Sequence, residues 1–174
     1  MKRIGFGQVE PNHLSAQRTG QIYAQLPANK DLKILENGMF VKYDYANNEV
    51  NLTGDGEWML VLNEVKLYDD AWRESYKDYA MQSVNFYNGE MVPRLFKTNV
   101  GDIFTTNCLV KGNDSGKAEI DDGTTWEAGM DLAPNAQGYL DFVANIDAAP
   151  MAWRIVKVYT MPDGQEAVKV QRIK

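Results

Sequence analysis

Histidine and cysteine are almost missing from this chain of 174 residues, which has one of each, His13 and Cys108. With so few such groups, no nucleophile–base pair can be assembled on physical grounds. A lone cysteine also rules out an intramolecular disulfide, as suits synthesis in a reducing cytosol. Cys108 follows Phe104-Thr105-Thr106-Asn107 and reads there as a small buried apolar residue. His13 lies in a glutamine-rich stretch with no serine or cysteine elbow beside it, so no catalytic use is expected of it.

Long apolar runs are lacking too. No stretch approaches the roughly 18 consecutive apolar residues of a membrane span. Lys2 and Arg3 are followed by Gln8, Glu10, Asn12 and His13 in place of an apolar run, so no secretory signal is expected. Basic charge is scarce: 18 Lys and Arg against 24 Asp and Glu leave a net −6. An acidic chain without a basic stripe lacks the electrostatic footprint of nucleic-acid binding. Neither nucleic acid nor membrane is an expected partner.

What is present is ordinary globular material, 44% hydrophobic and 24% charged, which argues against wholesale disorder and for one well-buried core. Explicit turns punctuate it: Ala46-Asn47-Asn48-Glu49, Gly54-Asp55-Gly56, Asn88-Gly89, Asp121-Asp122-Gly123 and Pro162-Asp163-Gly164. Asn-Gly supplies the positive φ angles of a tight hairpin. Pro-Asp-Gly pre-sets a type I turn whose glycine closes a bulge in the left-handed region.

Between these turns the pattern is that of strands. Met39, Val41, Tyr43 and Tyr45 alternate with Lys42 and Asp44. Trp58-Met59-Leu60-Val61-Leu62 is short and continuously apolar, as a strand buried on both faces requires. Residues 82–87 and 90–96 flank Asn88-Gly89 as a hairpin, with Pro93 marking an edge or bulge. Residues 103–110 form a further strand, and residues 126–142 hold irregular strands with Gly129, Pro134 and Gly138. Residues 153–161 against 165–173 make the clearest hairpin. One short helix is expected over residues 69–81, capped by Asp69 or Asp70, with Trp72, Tyr76, Tyr79 and Ala80 on one face. The fold class is therefore mainly β, an antiparallel barrel or sandwich built from hairpins. Residues 1–29 differ in texture, with scattered apolar residues and no sustained period. They read as an extended N-terminal arm or a tie-down segment beside a single β-rich domain over residues 30–174.

Motifs for chemistry fall short. Gly112-Asn113-Asp114-Ser115-Gly116-Lys117-Ala118 has three residues between its glycines where a phosphate loop has four, and Ala118 stands where Ser or Thr would hold magnesium. Gly5-Phe6-Gly7 lacks the third glycine of a dinucleotide site. Asp55 with Glu57, Asp69 with Asp70, and Asp121 with Asp122 fit no calcium loop. Adjacent carboxylates on a strand point to opposite faces and cannot work as a glycosidase pair. No catalytic residue, cofactor or metal ligand is assigned, and the chain is not expected to be an enzyme.

Four stretches carry a resemblance: Leu35-Glu36-Asn37-Gly38-Met39-Phe40; Tyr68 with Ser75-Tyr76-Lys77-Asp78; the run from Val92-Pro93-Arg94 to Val100-Gly101-Asp102; and the run from Tyr159-Thr160-Met161 through Pro162-Asp163-Gly164 to Val170. They resemble small virion proteins of tailed bacteriophages, encoded near the major capsid protein and known as head decoration or capsid-stabilising proteins. The resemblance spans most of the chain from Leu35 onward and rests on turns and strands. It implies a non-enzymatic β-rich auxiliary protein on the outer face of an icosahedral shell, synthesised in the host cytoplasm and located on the virion. The implied partners are the major capsid protein and copies of itself, commonly in a trimer. The chain is longer than many decoration proteins, yet short for a major capsid protein, which needs a long helix. The alternative function is a carbohydrate-binding β-sandwich, with Trp72, Tyr76 and Tyr79, or Trp58 and Trp126, as the stacking platform.

Overall fold

Strand β5 (Trp58–Val61) shows how the layers arise. Alternate side chains leave a strand on opposite faces, and all four residues here are buried. Trp58 and Leu60 enter one hydrophobic core, while Met59 and Val61 enter a second. A sheet between two cores must be apolar on both sides, as this run is. The computed structural model describes residues 5–11, 26–63, 79–109 and 125–174.

The four-stranded sheet containing β5 also holds β3 (Phe40–Asp44), β4 (Glu49–Asn51) and β7 (Leu95–Phe96), in the order β4-β3-β5-β7. On one side lies a six-stranded sheet, ordered β1-β8-β12-β11-β9-β10. Its strands are β1 (Val9–Glu10), β8 (Ile103–Thr106), β9 (Asp131–Pro134), β10 (Leu140–Phe142), β11 (Trp153–Thr160) and β12 (Glu166–Arg172). The first core fills the space between them. Phe40, Trp58, Leu60 and Phe96 meet Phe104, Trp153, Val168 and Val170, among others. Its centre is aromatic: the Trp153 ring lies 4.8 Å from Phe104, edge-on, and 5.8 Å from Phe40. The second core, on the other face of the four-stranded sheet, takes in Leu35 of β2 (Ile34–Glu36), with Met81 of β6 (Ala80–Gln82) packed against it. Strands β2 and β6 pair with each other as a separate ribbon.

Among the described residues all strand pairs are antiparallel, and the sheets do not close on themselves. The mainly β architecture expected from the sequence stands in its sandwich form, and the barrel does not. The C-terminal hairpin has the expected geometry. Gly164 N–H donates to Met161 O and Met161 N–H to Gln165 O, both at 2.8 Å, and Gly164 has φ +82°. The β3–β4 hairpin also forms, with Asn48 at φ +55° in its turn.

Several expectations need correction. The Asn88-Gly89 turn adopts its positive φ values, +54° and +71°, but joins no hairpin. Residues 83–85 and 87–89 are single 3-10 turns, β6 pairs with β2, and β7 pairs with β5. The cause is burial: Met91 and Leu95 belong to the second core and Met81 packs against it, while Val84 and Tyr87 are exposed. The strand expected over residues 103–110 ends at Thr106, beyond which Asn107 Oδ1 accepts the Gln8 N–H and the Cys108 N–H donates to Thr106 Oγ1. The helix expected over residues 69–81 has only its end among the described residues, and there Ala80–Gln82 is strand. Its N-terminal part, the loop at 112–118 and the turn at Asp121-Asp122-Gly123 lie outside the described residues.

The described parts of the first 29 residues lie against the body. Val9 and Glu10 pair with Thr106 and Thr105. Pro11 follows and has no N–H with which to extend the ladder. Leu26 and Ala28 are buried in the second core, and the backbone of residues 27–29 hydrogen-bonds with Val50 of β4 and Met91. Residues 1–4 and 12–25 lie outside the described residues.

Candidate functional site

Buried polar side chains need partners, and among the described residues a set of them gathers where residues 7–8 cross β8. Gln8 N–H donates to Asn107 Oδ1 at 2.7 Å, and Thr106 Oγ1 donates to Gln8 O at 2.6 Å. Asn107 Nδ2 reaches Gln165 Oε1 at 3.2 Å, and Gln8 Nε2 reaches Asp163 Oδ2 at 3.1 Å. The N-terminal segment is thus bonded to β8 and to the turn of the C-terminal hairpin.

Glu36 extends this seam to the opposite layer. One carboxylate oxygen accepts the Gly7 N–H, and the other accepts the Tyr139 hydroxyl at 2.9 Å. Next to it, Asn37 Oδ1 accepts the Asn63 N–H at 2.7 Å, and Asn63 Oδ1 accepts the Arg94 N–H at 2.9 Å. Packing is tight enough to demand glycine. Gly38 has φ +99°, and a Cβ there would lie 2.5 Å from Cys108 Cβ. The buried Cys108 fills the gap between Gly38 and Gly7, as expected of a small apolar residue.

Electrostatics in the seam favour ionised carboxylate at one end. Burial acts to raise the Asp163 carboxyl, but hydrogen bonds from Gln165 and Gln8 outweigh it and hold the group below its ordinary value. Elsewhere, burial pulls the Arg172 guanidinium down, against the attraction of Glu57 and Asp102, and Arg172 donates to Thr98. Arg154 is raised by its hydrogen bonds to Asp131, at 2.8 and 3.0 Å.

Both oxygens of Glu36 and the side-chain oxygens of Asn37, Asn63 and Asn107 hold backbone or side-chain donors of distant segments. The chemistry of such an arrangement is positioning: it locks chain crossings. Sequence reasoning did not single out Gln8, Glu36, Asn63 or Asn107. The available signal was amides and a carboxylate inside apolar strand patterns.

The residues weighed from sequence fall elsewhere. Asp55 is exposed in its turn, and Glu57 forms an ion pair with Lys97 at 3.2 Å. Gly7 of Gly5-Phe6-Gly7 donates to Glu36. Trp58 and Trp126 are buried in the first core and offer no face to a sugar ring. Tyr79 is half-buried. His13, Asp69, Asp70, Trp72, Tyr76, Asp121 and Asp122 lie outside the described residues. Among the described residues no three His, Cys, Asp or Glu side chains are grouped to hold a metal ion, and no helix is long and apolar enough to cross a membrane.

Fold and seam together define a class: a layered antiparallel β body with its N-terminal segment fastened by buried amides. Compared with known protein families, curated proteins and solved structures, the chain matches none.

Proposed function

We propose that the protein is a non-enzymatic virion structural protein of a tailed bacteriophage, of the head decoration or capsid-stabilising kind, bound to the major capsid shell. The reading starts from the resemblance in the turn and strand motifs. One observation supports it most: the interior polar groups fasten segments far apart in sequence. Gln8 and Asn107 are 99 residues apart, and Glu36 and Tyr139 are 103 apart. A body cross-tied in this way is a stiff platform, and stiffness lowers the entropy lost when a surface docks. Repetition over a shell then multiplies modest contacts through effective concentration.

The test is binding of the purified protein to preformed shells lacking it, followed by heating. Co-sedimentation with the shells and a higher temperature of shell disruption are expected. Absence of binding to shells of the parent phage would overturn the reading.

A further inference from the structure

Asn-Gly occurs twice in this chain, at Asn37-Gly38 and at Asn88-Gly89, and the fold treats the two in opposite ways. The dipeptide is chemically labile. The glycine nitrogen can attack the asparagine side-chain carbonyl carbon, because no Cβ on the glycine stands in the way. Attack needs a side chain free to swing, a glycine N–H released from its hydrogen bond, and water to complete the reaction. Asn37 is denied all three. Its side chain is buried, with Oδ1 accepting the Asn63 N–H at 2.7 Å and Nδ2 donating to Asn63 O at 3.5 Å. The Gly38 N–H donates to Val61 O at 2.9 Å, and a Cβ on Gly38 would strike Cys108 and Thr106.

Asn88 lies at the other extreme. It is exposed, and among the described residues no hydrogen bond holds its side chain. The Gly89 N–H donates to Phe86 O at 3.0 Å, a single turn bond. Around Gly89 there is room: only Ser83 comes near the place of a Cβ, at 3.8 Å. Residues 83–85 and 87–89 are single 3-10 turns outside the sheets, so this bond can open without disturbing a ladder.

We propose that Asn88 is a site of spontaneous deamidation in the folded protein, and that the fold protects Asn37 from the same reaction. The Gly89 nitrogen bonds to Asn88 Cγ and the Cγ–Nδ2 bond breaks. The proton of the glycine nitrogen passes through solvent to the departing ammonia. Water then opens the five-membered imide at either carbonyl. Opening at the main-chain carbonyl gives isoaspartate, with the chain running through the former side chain; opening at the other gives aspartate. In sum one water enters and one ammonia leaves. The product puts a carboxylate into the loop that carries Val84 and Tyr87, the two most exposed large apolar side chains among the described residues. An apolar loop thus gains negative charge as the protein ages, while both cores stay in place. The inference stands on burial and hydrogen bonding, not on attachment to a shell, and either can fail alone.

Ageing of the full-length protein in mildly alkaline buffer, folded and in denaturant, tests it, with peptide mapping by mass spectrometry over time. In the folded chain the fragment holding Asn88 should gain the mass of an amide-to-acid change. Its isoaspartyl form should accept a methyl group from an isoaspartyl methyltransferase. Asn37 should convert at least about tenfold more slowly, because its reaction waits on local opening of the seam. In denaturant the two sites should convert at similar rates, since only the fold distinguishes them. Gly89→Ala should slow conversion at Asn88 and leave Asn37 unchanged. An Asn88 amide that survives in the folded chain while it is lost in denaturant would overturn the proposal. So would equal conversion of Asn37 and Asn88 in the folded chain, or an undiminished rate in Gly89→Ala.

Discussion

Two segments with similar turn chemistry end in different structures. At Pro162-Asp163-Gly164 the turn joins β11 to β12, and the ladder runs from Thr160↔Glu166 to Trp153↔Arg172. At Asn88-Gly89 both residues take positive φ, yet no ladder crosses the turn. The flanking residues make the difference. Trp153, Ile155, Val168 and Val170 share an inward face and a common core. Around Asn88-Gly89, Val84 and Tyr87 are 85% and 88% exposed, so pairing there would bury almost nothing. A turn residue sets local dihedrals; the apolar face decides whether strands meet.

If burial governs, core truncation in the hairpin should outweigh any change in its turn. Trp153→Ala should be the largest effect, about 3–5 kcal/mol of lost stability, read from denaturant unfolding. Val84→Ala and Tyr87→Ala should stay within about 0.5 kcal/mol in the same assay. Comparable losses at both places would break the comparison.

Gly164→Val comes next, at about 1–2 kcal/mol, because a β-branched residue is strained at φ +82°. Open space around Gly164 means that strain alone is responsible. Amide exchange should speed up along β11 and β12, and the melting temperature should fall before any shell binding is lost. Unchanged stability with abolished binding would make this turn a contact site. Gly89→Val, at φ +71°, should cost about 1 kcal/mol from the same strain, with no change in exchange within the sheets. Exchange that spreads into β5 or β2 would show that this turn does organise a ladder.

The smallest effect concerns acid. Asp163 is held below its ordinary 3.8 in the folded chain. Its contribution is therefore fully present above that value and is lost as pH falls through the lower, folded one. Asp163→Asn should flatten the stability profile in that acid range and lower stability slightly near neutrality, where the carboxylate's contribution is present. An identical acid profile in the variant would remove the carboxylate from the account.

Much of the sheet framework was legible in sequence, because alternation and turn residues act locally. Trp58-Met59-Leu60-Val61 announced a strand buried on both sides, and Pro162-Asp163-Gly164 its hairpin. The 82–96 hairpin was misread because the pairs β2–β6 and β5–β7 join residues distant in the chain. The seam was not legible at all. Whether Asn107 and Gln8 are surface amides or buried partners depends on a crossing of segments 99 residues apart, and no local period encodes that. Residues 27–29 read as the end of an arm or a tie-down segment, two alternatives that local pattern does not separate; their backbone lies between β4 and Met91.

The proposed role stands or falls most directly on stoichiometry in the particle. Purified virions, with this protein and the major capsid protein quantified together by mass spectrometry, give the ratio. The account predicts a fixed small-integer ratio to the shell protein, as local symmetry axes repeated over the whole shell require. Absence from the virion, or the few copies of a single neck or tail ring, would contradict it.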